Sequence, residues 1–158
     1  MFYYLGLGSN LGDREQTISR ALILMDEHVG RRIDVAPLIY TPAQGFTSEH
    51  VFCNTVALYE SALQPHEVLA MTQTIEQELG RTEHSILLND GTKIYADRQI
   101  DIDLIQVYDN EGQELHMNTP TLTLPHPRMN ERTFVLQPMQ YLREHADIYN
   151  PQKHPAYG

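Results

Sequence analysis

The chain has 158 residues, 41% of them apolar, which is enough for one domain with a substantial core and argues against a disordered or low-complexity protein. Eleven Lys and Arg against twenty-one Asp and Glu give a net charge of −10 with His neutral, so nucleic acid and anionic membranes are repelled at long range. The single Cys53 rules out an intramolecular disulfide and fits a reducing compartment. No apolar run reaches bilayer-spanning length, and MFYYLGLGSN carries neither a basic leader nor a small-residue cleavage site. A cytoplasmic protein that binds neither nucleic acid nor membrane is the expectation, as a monomer with a dimer left open.

In chain order, residues 1–7 (MFYYLGL) predict a buried strand closed by Gly8. A helix follows, with Asp13 as N-cap, Gln16 three residues on as the partner of a capping box, and Ile18, Ala21, Leu22, Met25 and Val29 on one face. Residues 33–40 predict a second strand that Pro37 forces to an edge or a bulge, and 52–60 predict a third after the polar loop 41–50. A second helix runs from Pro65 to Gly80, with Val68, Met71, Ile75 and Leu79 inward. A long connection, 81–97, has a turn signal at Asn89-Asp90-Gly91 and leads into a strand over 98–107. A hairpin arm near 113–117, a Pro-containing loop and a helix near 129–143 complete a domain over 1–143, with 144–158 a loosely attached tail. Strand, helix, strand, strand, helix, strand is the order of the split βαβ unit, so the expected fold is single-domain, ferredoxin-like α+β with an antiparallel sheet and helices.

Three stretches carry chemistry. GLGSNLG (6–12) lies between a strand and a helix but departs by one position from the dinucleotide fingerprint, and a simple turn explains it equally well. No Walker A pattern occurs anywhere. In DRQIDIDLI (97–105), Asp101 and Asp103 fall two apart in an Ile/Leu run where Asp is disfavoured. Strand alternation points both to one face while Ile100, Ile102 and Leu104 turn to the core. Two such carboxylates repel unless a cation joins them, and hard divalent ions such as Mg²⁺ take oxygen ligands while keeping sites for phosphate. A solvated strand face is the alternative. In LPHPRMNERTFVL (124–136), prolines flank His126, and Arg128 and Arg132 follow at helical spacing, as an anion site or a surface corner would have them. Arg81, Lys93, Arg98, Arg128 and Arg132 concentrate basic charge in the middle and late chain, where it can offset the net negative field locally.

Together with YTPAQG (40–45), FCNTVAL (52–58) and TIEQELGR (74–81), these blocks resemble the 6-hydroxymethyl-7,8-dihydropterin pyrophosphokinase family over nearly the whole chain. The resemblance implies a transferase of folate biosynthesis that moves diphosphate from ATP to the hydroxymethyl group of the dihydropterin and releases AMP. It further implies that Asp101 and Asp103 hold two Mg²⁺ ions, with Arg98 as a third catalytic residue. Arg81, Arg98, His126 and Arg132 would contact the phosphates, with Gln73 and Glu76 near the nucleotide. The pterin would lie between Phe52 and Phe134, its amide edge read by Asn54 and by backbone at Thr41, Pro42 and Ala43. The chain departs from the family's common pattern at Glu83, His84, Tyr95 and Asp97, and its 82–97 loop is long. A second expectation, set by those departures, is a diverged relative that binds pterin or nucleotide without catalysis.

Overall fold

The computed structural model describes residues 1–10, 13–42, 51–80, 86–87, 93–94, 100–129 and 133–144. Among the described residues the elements are, in order, β1 (Phe2–Ser9), α1 (Arg14–His28), β2 (Arg31–Val35), β3 (Ile39–Pro42), β4 (Val51–Glu60), α2 (Pro65–Glu78), β5 (Ile86–Leu87), β6 (Lys93–Ile94), β7 (Asp101–Tyr108), β8 (Met117–Asn118), β9 (Thr123–Leu124) and α3 (Thr133–Glu144). The main sheet runs β2-β4-β1-β7, with β3 also paired to β4, and its pairings are antiparallel. Counting β2 and β3 as one interrupted strand recovers the ferredoxin-like order expected from the sequence.

The two helices of the repeat cover one sheet face. Ile18, Ala21, Leu22 and Met25 of α1, with Val29 just beyond it, and Val68 and Ile75 of α2, with Leu79 at its cap, pack onto Tyr3, Leu5 and Leu7 of β1 and Ile102 and Leu104 of β7. Asp13 caps α1 by accepting the Gln16 N–H at 3.0 Å, as its spacing predicts. At α2 the equivalent work falls to Glu67, which accepts the Gln64 N–H at 2.9 Å behind Pro65 at the first turn. The expected inward Met71 is only partly buried and packs at the margin of the core.

Among the described residues, the opposite face is covered at one end. There Val135, Met139 and Leu142 of α3 enclose Ala36, Val56 and Ile105. Ile105 is the extra residue of a β-bulge: β1 pairs Leu5 with Leu104 but Tyr4 with Gln106. The bulge lets Asp101, Asp103 and Ile105 share a face while Val107 returns to the helix-covered side.

Several sequence boundaries shift. The first strand extends through Gly8 to Ser9, because both are paired to β4 rather than forming a turn. The single strand expected over 33–40 divides around Ala36–Leu38. Pro37 lacks an N–H, and the two pieces, β2 and β3, each pair with a different part of β4. The last helix is described over Thr133–Glu144, following the turn in which Met129 N–H meets the His126 carbonyl; residues 130–132, between them, lie outside the described residues. β5 and β6 pair Ile86 with Ile94 and Leu87 with Lys93, flanking the expected turn at 89–91. That turn, the remainder of the 81–97 connection and the tail from 145 lie outside the described residues.

Candidate active site

The open part of the second sheet face holds most of the candidate residues, and the register shows how. Gly8 of the central strand pairs with Asn54 on one side and Asp101 on the other; Gly6 pairs with Val56 and Asp103. Directly paired antiparallel residues share a face. The two glycines therefore leave a bare strip between an Asn54 wall and an Asp101/Asp103 wall. A Cβ at Gly8 would lie 2.8 Å from Asn54 Oδ1 and 3.7 Å from Phe52 Cδ1. A Cβ at Gly6 would meet the Ile105 Cδ1 end at 2.8 Å. The strip is a shallow trough floored by glycine backbone, with Asn54 Oδ1 and Ile105 Cδ1 already close over it, so a side chain at either glycine would collide with them.

On one wall, Asn54 is buried and donates its Nδ2–H to Thr41 Oγ1 at 2.9 Å. That bond fixes the amide so that Oδ1 is turned to the trough. Thr41 pairs with Phe52, and Pro42 with Val51, in the β3–β4 ladder. The same hairpin is tied to the start of α1. Arg14 donates to the Val51 carbonyl at 2.7 Å and lies 5.4 Å over the Tyr40 ring, while the Tyr40 hydroxyl donates to Glu15 at 2.7 Å. That hydrogen bond holds Glu15 below the usual carboxylate range and, together with lesser desolvation, pushes Tyr40 up to about 12. Cys53, buried behind the wall, has its thiol pushed up chiefly by burial.

On the other wall, burial alternates along β7: Asp101 and Asp103 are half-buried, Ile102 and Leu104 buried. The alternation expected for the pair is what the strand has. Beside Asp103 opens a cavity of about 260 Å³, lined among others by Leu69, Leu104 and Leu122 and by Thr121, Thr123 and His126. His126 is held by its own backbone, which donates to the Ile105 carbonyl at 2.8 Å. Its Nδ1 accepts the Arg128 N–H at 3.1 Å, so the neutral ring carries its proton on Nε2. Phe134, in the first turn of α3, packs partly buried beside Val56 and Ile105.

Of the two α2 candidates, Gln73 is exposed and one turn beyond the cavity-lining Leu69, while Glu76 is 3% exposed and accepts the Ile102 N–H at 2.8 Å. The residues from β9 and the turn before it, Thr121 to Thr123, were legible in the sequence only as a loop; their role as a cavity wall follows from β8–β9 pairing. Ala43, Arg81, Arg98 and Arg132 lie outside the described residues.

The two half-buried carboxylates and the bare strip facing them suit a hard divalent cation that keeps coordination sites for other oxygen ligands. Among the described residues no group of three or more His, Cys, Asp or Glu gathers to enclose a metal ion. No helix of the described residues is long and apolar enough to cross a membrane.

Fold and site define a class: ferredoxin-like α+β proteins carrying a carboxylate pair and a hydrogen-bonding wall across one bare strip of sheet. The chain belongs to the 7,8-dihydro-6-hydroxymethylpterin-pyrophosphokinase (HPPK) family, whose model matches residues 4–144. It is 44% identical over 138 residues to the 2-amino-4-hydroxy-6-hydroxymethyldihydropteridine pyrophosphokinase of Porphyromonas gingivalis, covering 86% of each chain. The enzyme of the same name from Bacillus subtilis is 36% identical over 137 residues, 86% of this chain and 74% of that one. The folic acid synthesis protein fol1 of Schizosaccharomyces pombe is 33% identical over 156 residues, 96% of this chain but 19% of that larger protein. A crystal structure of HPPK-DHPS in complex with substrates shares the fold at a TM-score of 0.58 and 13% identity, over 94% of this chain and 44% of that one.

Proposed function

We infer that the protein is the pyrophosphokinase of its family, transferring diphosphate from ATP to the hydroxymethyl group of 6-hydroxymethyl-7,8-dihydropterin and releasing AMP, a step of folate biosynthesis. The observation that carries the reading is the glycine strip between Asn54 and the Asp101/Asp103 pair. A flat heterocycle seated against Asn54 reaches along the strip, and a polyphosphate held at the Asp pair meets it there.

In this reading Asn54 Oδ1 accepts from the amide edge of the pterin, aided by backbone at Thr41, Pro42 and Ala43, and Phe52 and Phe134 stack on its faces. Asp101 and Asp103 hold two Mg²⁺ ions, which when bound neutralise the phosphate charge that a −10 protein would otherwise repel. The cavity beside Asp103 takes the nucleoside: Leu69, Leu104 and Leu122 contact the base, with the exposed Gln73 one turn beyond Leu69 on α2. His126 offers its Nε2–H to a phosphate oxygen, and Arg81, Arg98 and Arg132 supply the remaining positive charge.

The chemistry is an in-line displacement. The hydroxymethyl oxygen forms a bond to the β-phosphorus, the bond from that phosphorus to the oxygen bridging it to the α-phosphate breaks, and the alcohol proton passes to solvent or a carboxylate. Alignment and charge neutralisation carry such a transfer, with no covalent enzyme intermediate. Incubation with ATP, Mg²⁺ and the hydroxymethyl-dihydropterin is expected to give AMP and pterin diphosphate in equal amounts. Formation of ADP, or binding without turnover, would refute the assignment, the latter in favour of a non-catalytic relative.

A further inference from the structure

Glu76 is a buried carboxylate on the far side of the strand from the trough. It belongs to α2, the helix packed against the Ile102 and Leu104 side of β7, whereas Asp101 and Asp103 project from the opposite face. An ionised side chain so enclosed is costly unless strong hydrogen bonds compensate it. Its Oε2 accepts the Ile102 N–H at 2.8 Å. That N–H lies between the two Asp residues and on the outer side of β7, where among the described residues no strand pairs with it. Farther along the same edge, the Ile105 carbonyl is taken by the His126 N–H and the Val107 carbonyl by the Leu115 N–H, both at 2.8 Å. At the Asp-bearing end a side chain, Glu76, does this.

We propose that Glu76 is a positioning residue for the cation site: by capping the Ile102 N–H it fixes the backbone of 101–103 in extended form, so that Asp101 and Asp103 present their carboxylates together. The inference rests on the reading that these two residues hold the divalent cation. It assigns Glu76 a hydrogen bond through the strand instead of contact with nucleotide or metal. An i, i+2 pair in a strand has Cα atoms roughly 7 Å apart only while the strand stays extended. A peptide rotation at Ile102 would turn one carboxylate away from the other. Partners that orient metal ligands are typically worth about 10- to 100-fold in affinity or activity.

Two conservative variants separate reach from charge. Glu76→Gln keeps the acceptor oxygen at full reach and loses the charge. Glu76→Asp keeps the charge but withdraws it by roughly 1.5 Å, one bond length, beyond hydrogen-bonding distance of Ile102. Mn²⁺ binding is followed by the electron paramagnetic resonance of the free ion, with a non-hydrolysable ATP analogue present. Pterin binding without nucleotide is followed by fluorescence, and shows that each variant is folded. Glu76→Gln is expected within about threefold of wild type in Mn²⁺ affinity, and Glu76→Asp about tenfold weaker or more, with pterin binding unchanged in both. Wild-type Mn²⁺ affinity in Glu76→Asp, or a Glu76→Gln as weak as Glu76→Asp, overturns the proposal. Loss of pterin binding in Glu76→Asp does so too, since it makes the residue one of general stability. Asp101→Asn is run alongside: if it leaves Mn²⁺ affinity untouched, the cation reading itself has failed, and separately from the role of Glu76.

Discussion

Replacing Gly8 by alanine puts one methyl group into the trough at the point where its two walls face each other. The new Cβ would stand 2.8 Å from Asn54 Oδ1, inside the contact distance of carbon and oxygen by several tenths of an ångström. Asn54 cannot yield freely, being buried with its Nδ2 held by Thr41 at 2.9 Å. Either the strands separate slightly, an overpacking cost of about 1–3 kcal/mol, or Asn54 rotates and loses a bond worth about 1 kcal/mol. Both routes displace the acceptor proposed to read the pterin. With about 1.4 kcal/mol per tenfold, pterin affinity should fall by roughly 10- to 100-fold. Fluorescence titration with the pterin measures it, and ATP-analogue binding serves as the comparison, expected within about threefold of wild type. Gly6→Ala is the comparison: its Cβ meets the far end of the Ile105 side chain at 2.8 Å, with Ile105 Cγ1 at 3.5 Å and the Asp103 carbonyl oxygen at 3.9 Å, and does not touch the Asn54 amide. Wild-type pterin affinity in Gly8→Ala would refute the trough as the pterin's seat.

Thr41→Val removes the acceptor that orients Asn54, and should weaken pterin binding about tenfold while leaving the melting temperature within a few degrees. Tyr40, hydrogen-bonded to Glu15, should titrate near pH 12 by ultraviolet difference spectroscopy, with Tyr40→Phe removing that phase. Its pKa is raised, so the Tyr40 contribution to stability is present below the ordinary tyrosine value of 10 and lost as pH rises toward 12. At Gly30 an added Cβ would fall 2.1 Å from the Glu60 carbonyl oxygen, a backbone atom with little room to move. Gly30→Ala should cost about 3 kcal/mol, a fall of roughly 6–12 °C in melting temperature by calorimetry.

How far the site was legible in the sequence varies with how local each cause is. Strand alternation alone placed Asp101 and Asp103 on one face, and helix periodicity placed Ile18, Leu22, Val68 and Ile75 inward, since both depend on neighbours along the chain. Pro37 likewise announced an irregularity in the second strand, though as an edge or a bulge rather than as the division into β2 and β3. The function of Gly6 and Gly8 was not legible this way. GLGSNLG read as a turn or a near-match to a nucleotide fingerprint, and only pairing to β4 and β7, set by residues some fifty and ninety-five positions away, makes the glycines a trough floor. The bulge at Ile105 has no signal in IDLIQV either, because Ile fits both a regular strand and a bulge. Glu76 was assigned to the nucleotide through family resemblance. Its bond to the Ile102 N–H depends on how α2 docks against an edge strand, which no helical pattern specifies.

The central claim is that the glycine strip lets a pterin on the Asn54 side meet a polyphosphate held by Asp101 and Asp103. It is tested most directly by single-turnover product analysis of wild type and Asp103→Asn with ATP, Mg²⁺ and 6-hydroxymethyl-7,8-dihydropterin. The account predicts equal AMP and pterin diphosphate from the wild type. It also predicts at least about 1,000-fold slower formation of both by Asp103→Asn, from the loss of several kcal/mol of transition-state stabilisation, with pterin binding and melting temperature retained. An Asp103→Asn enzyme that still yields AMP at the wild-type rate would contradict it.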